Sequence, residues 1–242
     1  MFTPCIVVPV FDHEGAIAGT VASLAPHGLT TFLVDDGSHA PCARELDRLA
    51  ATHGDWVHLV RLAPNQGKGA AVMAGFEAAA AAGFSHAVQI DADGQHDATD
   101  VPRLLGLARA HPRALVTGIP EYDASVPRSR LYGRYVTHVW VWINTLSLHI
   151  RDSMLGFRVY PIAAALQVWR TQAVGRRMDF DTEIMVRMYW EGTDVISMPT
   201  RVTYPADGVS HFDVLRDNLR ISRMHARLFA GMLWRLPRLL WR

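Results

Sequence analysis

Through the first half of the chain, short runs of β-branched and apolar residues alternate with segments of helical spacing, and this alternation limits the fold more than any other feature. Residues 6–10, 31–34, 57–61, 87–90 and 114–117 read as strands. Residues 16–24, 42–52, 69–82 and 100–110 read as the helices between them, the last opened by Thr99 as a cap. A strand followed each time by a helix predicts an α/β fold with a mostly parallel central sheet flanked by helices. In such a sheet ligands gather beyond the carboxyl ends of the strands. The segments at those ends are Phe11-Asp-His-Glu14, Asp35-Asp-Gly-Ser38, Pro64-Asn-Gln-Gly-Lys-Gly69 and Asp91-Ala-Asp-Gly-Gln95. Carboxylates, glycines and a lysine converging on one edge mark it as the candidate active site.

The pattern is less regular afterwards. Residues 118–127 read as a polar loop, 128–148 as helical, 151–160 as a turn leading into a strand, 181–190 as a helix, 194–198 as a strand and 212–233 as a long helix. No internal repeat or low-complexity linker divides the chain into independent domains. The expected organisation is a catalytic unit over residues 1–210, followed by a basic amphipathic helix over 211–242.

Composition excludes several classes. With 24 basic and 23 acidic residues the chain has no general affinity for a phosphate backbone, so nucleic acid is not an expected partner. The amino-terminal segment reads as a buried strand rather than a secretory signal, and the uncharged stretch 135–150 is shorter than the roughly 20 residues of a bilayer span. Two cysteines, Cys5 and Cys42, are too few for a disulfide scaffold or a four-ligand zinc site, which fits a reducing cytoplasm. No Gly-x-Ser-x-Gly elbow supports serine-hydrolase chemistry. The loop around Lys68 is not a Walker A motif, because Leu62 stands where its first glycine belongs and Gly69 replaces the hydroxyl residue. A Gly-x-Gly-x-x-Gly after the first strand is also missing.

Asp91 and Asp93 leave a strand at alternate positions with Gln95 one step further, a set of hard oxygen donors suited to Mg²⁺ or Mn²⁺ beside a diphosphate. Asp36, at another strand end, can accept from a ribose hydroxyl or a base N–H, or can cap its own turn. His13 and His96 are isolated histidines, for which a structural role in a turn outweighs metal binding. Arg128, Arg130, Arg134 and Arg158 are cations suited to fixing an anionic acceptor. Asp152, Asp181 and Glu183 are candidate bases, with Glu183 equally able to serve its own helix start.

In collinear order, Pro9-Val-Phe-Asp-His-Glu14, Asp35-Asp-Gly-Ser38, Asn65-x-Gly-Lys-Gly69, Asp91-Ala-Asp-Gly-Gln-His96, Met154-x-Gly-Phe-Arg158 and Gly208-Val-Ser-His211 resemble the family 2 inverting glycosyltransferases of GT-A fold. Within them the chain is similar to the dolichyl- and polyprenyl-phosphate sugar synthases. The resemblance implies that Pro9, Phe11 and Glu14 line the nucleotide base of a UDP- or GDP-hexose. It implies further that Asp36 binds base or ribose, that Lys68 lies near the nucleotide or holds its loop, and that Asp91 contacts the nucleoside. Asp93 and Gln95 would be the metal ligands. Asp12 stands where relatives usually have Asn, and Gly156 where some lipid-phosphate transferases carry a polar residue. The implied reaction is metal-dependent hexosyl transfer to a lipid acceptor. A sugar nucleotidyltransferase is disfavoured, since Asp12-His-Glu14 is not the Gly-rich, Arg-bearing loop it needs. A noncatalytic nucleotide-binding or membrane-recruitment module is the remaining alternative.

Lys68 is the sole lysine, and six arginines but no carboxylate lie between Asn218 and Arg242. There Ile221, Met224, Leu228 and Met232 recur at helical spacing beside Arg220, Arg223 and Arg227, with Trp234 and Trp241 beyond. This pattern suits a helix lying on an anionic leaflet at the inner face of the cytoplasmic membrane, or one packed on its own domain. The tail also bears a weaker resemblance to short members of bacterial aryl-polyene pathways, which implies a lipid-linked polyene as acceptor.

Overall fold

A computed structural model describes all residues except 123–127, 204–212 and 242, and of residues 128–130 it describes only the backbone. Seven strands, β1 (Pro4–Val10), β2 (Thr31–Asp35), β3 (Val57–Arg61), β4 (His86–Gln89), β5 (Leu115–Tyr122), β6 (Arg158–Pro161) and β7 (Val195–Val202), form one sheet in the order β3-β2-β1-β4-β6-β5-β7. Pairing is parallel except around β6, which runs antiparallel to both β4 and β5. The helices are α1 (Ile17–Leu24), α2 (Ala40–Thr52), α3 (Lys68–Ala81), α4 (Val101–Ala110), α5 (Arg128–Thr145), α6 (Ile162–Thr171), α7 (Phe180–Trp190) and α8 (Val214–Leu240).

Strand alternation divides the core in two. Cys5 and Val7 of β1 face one side with Phe76, Phe180 and Trp190, whereas Ile6, Val8 and Val10 face the other with Ile17, Leu46 and Leu104. Both faces are covered at the centre, so β1 and β2 are buried along nearly their whole length, as a largely parallel sheet requires. Both cysteines are free and buried, and burial pushes the Cys5 thiol up to about 12.

Three elements differ from the sequence reading. Strand β5 continues through the expected loop to Tyr122, because its whole length pairs with β7. Gly118, which suggested a break, is needed there: a Cβ would lie 2.5 Å from Thr200 and 2.6 Å from Leu155. Helix α6 starts directly after β6 with Pro161 as its first boundary residue and was not anticipated. Helix α8 continues past Leu233 to Leu240, through Pro237.

Helix α8 carries two apolar faces. Met224, Leu228 and Met232 enter the core beside α5 and α7, so the stripe legible in sequence is chiefly a packing face. On the outer side Leu215, Leu219, Phe229, Leu233 and Leu240 are exposed, as are Trp234 (87%) and Trp241 (92%). Helix α5 adds a neighbouring exposed row, Tyr132, Tyr135, Val136, Trp140 and Ile143. The rows meet where the rings of Trp140 and Phe229 stand edge to face 6.2 Å apart. No described helix is long and apolar enough to cross a membrane.

Candidate active site

Lys68, the first residue of α3, is the hub of the sheet edge. Its Nζ lies 2.8 Å from Asp91 Oδ1 and 2.9 Å from Asp91 Oδ2, and 2.8 Å from Asp181 Oδ2 in the first turn of α7. The other oxygen of Asp181 accepts from Gln89 Nε2 at 2.9 Å, within the sheet. His96 brings Nε2 to 3.6 Å from Asp91 Oδ2 while stacking on Phe157. Burial by itself would lower the Lys68 pKa and raise that of Asp91. Their attraction outweighs it: Asp181 and Asp91 hold Lys68 well above the usual lysine range, and Lys68 with His96 holds Asp91 well below the usual carboxylate range. One cation therefore joins two carboxylates from elements far apart in sequence.

Asp36 organises the loop that precedes Lys68. Its Oδ1 accepts from Gln66 N at 2.7 Å, and its Oδ2 from Gly67 N at 2.8 Å and Asn65 Nδ2 at 3.0 Å. Burial nevertheless raises its pKa, against the lowering effect of those N–H groups. Gly67 adopts φ 101°, a conformation glycine permits, and abuts the Gly175–Arg177 turn. From that turn the Arg176 carbonyl accepts from Gly69 N at 2.9 Å and Ala70 N at 3.3 Å, satisfying N–H groups left open at the start of α3. Arg177 Nη1 donates to Asn65 Oδ1 at 2.9 Å.

At the first strand end, Pro9 is buried inside β1, Phe11 is half-buried and Glu14 is exposed. Asp12 takes φ 51° and accepts from His39 N at 2.7 Å, with His39 Nδ1 a further 2.7 Å contact. The Asp12 carboxylate thus ties the first loop to the second.

Asp93 and Gln95 follow Asp91 on the same loop and are partly exposed; Asp93 Oδ1 accepts from Gln95 N at 3.1 Å. Among the described residues no three His, Cys, Asp or Glu side chains converge on a metal position. The donor set still fits Mg²⁺ or Mn²⁺, which takes one or two protein oxygens and completes its shell with phosphate and water. Asp91, neutralised by Lys68, is the less available carboxylate, and Asp93 the more available.

The second half supplies a separate charged group. Asp152 is buried and accepts from Arg134 Nε at 2.7 Å, Arg134 Nη2 at 2.8 Å, Met154 N at 2.9 Å and Leu155 N at 2.8 Å. Burial would raise its pKa, but Arg134 keeps it below the usual range. His138 Nε2 lies 3.4 Å from Asp152, and burial lowers the His138 pKa. Arg158 is fully enclosed, donating to the carbonyls of Asp181 at 2.6 Å and Ser153 at 2.7 Å and to the Tyr160 hydroxyl at 3.0 Å. Glu183 is fully enclosed too, held by Arg187, Arg227 and Gly175 N. Of the basic candidates, Arg134 lies in the Asp152 cluster and Arg158 is a buried brace. The side chains of Arg128 and Arg130, and the Gly208–His211 motif, lie outside the described residues.

The structure brings together Lys68, Asp91 and Asp181, with Asp93 and Gln95 further along the Asp91 loop, whereas Asp152 and Glu183 pair with other arginines. It adds His96, Gln89, Arg176 and Gly156. A Cβ on Gly156 would stand 2.6 and 2.7 Å from the Asp91 carboxylate oxygens and 2.8 Å from Lys68 Nζ. The missing polar side chain there is thus a consequence of the ion pair beneath it. His96, directly after the acidic loop, and Gly156, before the Phe-Arg pair, were visible in the sequence, whereas Gln89 and Arg176 carried no signal.

A family model described as "Glycosyl transferase family 2" matches residues 5–169. Polyprenol monophosphomannose synthase of Mycolicibacterium smegmatis is 27% identical over 213 residues, covering 85% of this chain and 79% of that protein. Undecaprenyl-phosphate mannosyltransferase of Micrococcus luteus is 27% identical over 178 residues, covering 72% of this chain and 69% of that one. Among solved structures, glucosyl-3-phosphoglycerate synthase of Mycobacterium tuberculosis in complex with Mn²⁺ and UDP-glucose superposes with a TM-score of 0.68 at 16% identity, over 96% of this chain and 79% of that chain. Such solved structures are glycosyltransferases of GT-A fold, the architecture of this sheet.

Proposed function

The chain belongs to glycosyl transferase family 2, and from that premise we propose that it moves a hexose, with inversion, from a UDP- or GDP-sugar to a polyprenyl phosphate or other lipid-linked acceptor. The observation that carries the reading is the Lys68 centre, where a cation is fixed between Asp181 and Asp91, the first residue of the loop that carries Asp93 and Gln95, at the carboxyl edge of the sheet. The names of the two mannosyl-transferring relatives support a polyprenyl phosphate acceptor.

In this reading Phe11 and Glu14 line the base with Pro9 setting the strand end. Asp36 acts on the nucleotide through the Asn65–Gly67 loop it holds, and Lys68 keeps Asp91 ionised and oriented toward the nucleoside. Asp93 and Gln95 would hold Mg²⁺ or Mn²⁺, which would supply positive charge to offset that of the departing diphosphate. The acceptor oxygen attacks the sugar carbon on the face opposite that leaving group. An acceptor phosphate is already anionic, so orientation matters more than deprotonation. Arg128, Arg130 and Arg134 on α5 supply that orientation. Asp152 and Glu183, each enclosed by arginines and backbone N–H groups, serve as braces rather than bases.

The outer rows of α5 and α8 suit a lipid interface. Neither helix carries an acidic residue beyond Asp217, arginines flank the exposed leucines, and Trp234 and Trp241 match headgroup depth. In this reading the enzyme works peripherally at the inner face of the cytoplasmic membrane, next to its acceptor.

The test is a screen of UDP- and GDP-hexoses with Mg²⁺ and Mn²⁺ against polyprenyl phosphate and total lipid extract, read by product mass. A glycolipid product that disappears in Asp93→Ala is expected. Metal-dependent turnover surviving Asp93→Ala would overturn the reading, and nucleotide binding without any transfer would favour a recruitment module.

A further inference from the structure

Glu183 is a fully enclosed carboxylate that faces two guanidinium groups. Arg187, one turn along α7, donates Nε at 3.1 Å and Nη2 at 2.7 Å, both to Oε1. That pair already neutralises Glu183. Its Oε2 is left to Gly175 N at 2.8 Å and to Arg227 Nη2 of α8, also at 2.8 Å. Arg227 also lies 3.8 Å from Asp179, whose other oxygen accepts from Arg177 N at 3.2 Å. Arg227 thus spans the Glu183 and Asp179 carboxylates, and its bond to Glu183 fixes the oxygen that holds the Gly175–Arg177 turn. That turn caps α3 through the Arg176 carbonyl and grips Asn65 through Arg177. Two residues before Glu183, Asp181 holds Lys68 from the other side.

We propose that Arg227 is a positioning residue for donor binding: through Glu183 it holds the Gly175–Arg177 turn against the start of α3, so that the seating of the tail helix sets the affinity for the nucleoside diphosphate. This rests on the function proposed above. It extends that reading by linking the helix with the outer apolar row to the loop at the opposite end of the site.

The experiment uses the full chain with Arg227→Ala, Arg227→Lys and Glu183→Gln. Amide hydrogen exchange at Gly69, Ala70 and Gly175 is measured with calorimetric binding of UDP and GDP in Mn²⁺. In Arg227→Ala the three amides should exchange faster, and the nucleotide should bind about tenfold more weakly, as expected when one charge-assisted hydrogen bond that pre-organises a loop is lost. Acceptor KM and kcat at saturating donor should stay within about twofold, since only the donor side is loosened. Arg227→Lys should restore most of the affinity, and Glu183→Gln should reproduce the loss. Unchanged protection of the three amides would overturn the proposal. So would a fall of donor affinity, acceptor KM and kcat together with the melting temperature, unrescued by lysine. If the unaltered chain binds neither UDP nor GDP, the functional reading fails, while the exchange data still decide whether Arg227 holds the turn.

Discussion

Replacing Gly156 by alanine sets two opposing effects against each other at the centre of the site. The backbone of Gly156 lies outside the left-handed region, so alanine is conformationally acceptable and would by itself stabilise the chain by about 0.4–1 kcal/mol through the unfolded state. The added methyl, however, would lie 2.6–2.8 Å from Asp91 and Lys68, whereas an ordinary contact is about 3.5 Å. Relief needs a shift of nearly 1 Å. Opening the 2.8 Å Lys68 to Asp91 contact by about 1 Å costs about 1.5 kcal/mol at an effective dielectric constant near 20, and overpacking adds about 1–3 kcal/mol. The loss exceeds the gain, leaving a net destabilisation of about 1.5–4 kcal/mol, or a fall in melting temperature of about 3–16 °C for a chain of this size. If Lys68 and Asp91 orient the nucleotide as proposed, donor kcat/KM should drop about 10- to 100-fold. Gly106→Ala is the control: it lies exposed in α4 with nothing within 4 Å of the added carbon, and should be stabilising. Thermal unfolding by circular dichroism and donor turnover measure both consequences. If Gly156→Ala melts at or above Gly106→Ala with turnover intact, the reasoning about the ion pair is refuted.

Other expectations concern pH, bracing and the outer surface. Burial lowers the His225 pKa from 6.5 to about 4, so the folded state resists the proton that the unfolded chain accepts; stability is complete above about 6.5 and is lost as pH falls toward 4. Between pH 7 and pH 5 that amounts to about 2 kcal/mol, which a urea titration should reveal and His225→Gln should remove. Asp152 and Asp91 have depressed pKa values, so their contribution is present above the usual carboxylate pKa and disappears only as the solution becomes more acidic than that. Asp152→Ala leaves Arg134 uncompensated and should cost about 3–5 kcal/mol, seen as a lowered denaturant midpoint, whereas a purely catalytic base would leave the midpoint unchanged. Replacing Trp234 and Trp241 with serine should weaken sedimentation with anionic vesicles by roughly an order of magnitude, while melting temperature stays constant because both rings are exposed; equal vesicle binding would refute the interfacial role.

Much of the first half was legible because its signals are local. Strand periodicity places β1 to β4, and the polar ends of those strands name Asp36, Lys68, Asp91, Asp93 and Gln95 without knowledge of any contact. Gly118 and Pro120 misled for a local reason as well: they resemble loop residues, yet sit in β5 because β7 runs alongside and leaves no room for a larger side chain. In α8 the spacing of Met224, Leu228 and Met232 identified an apolar face but not its destination. A second row three and four residues apart lies on the other side, and periodicity carries no information about which face has a neighbour.

Local order along the chain therefore determined the α/β alternation, the polar edge and the family. Tertiary structure decided what each polar residue does there. Whether Lys68 serves a loop or a carboxylate pair, whether Arg158 reaches a ligand or braces carbonyls, and whether Glu183 is free depends on groups brought together from opposite ends of the sequence. Burial and a second charge set the strength and direction of those interactions, and both exist only once the sheet has placed α3, α7 and α8 side by side.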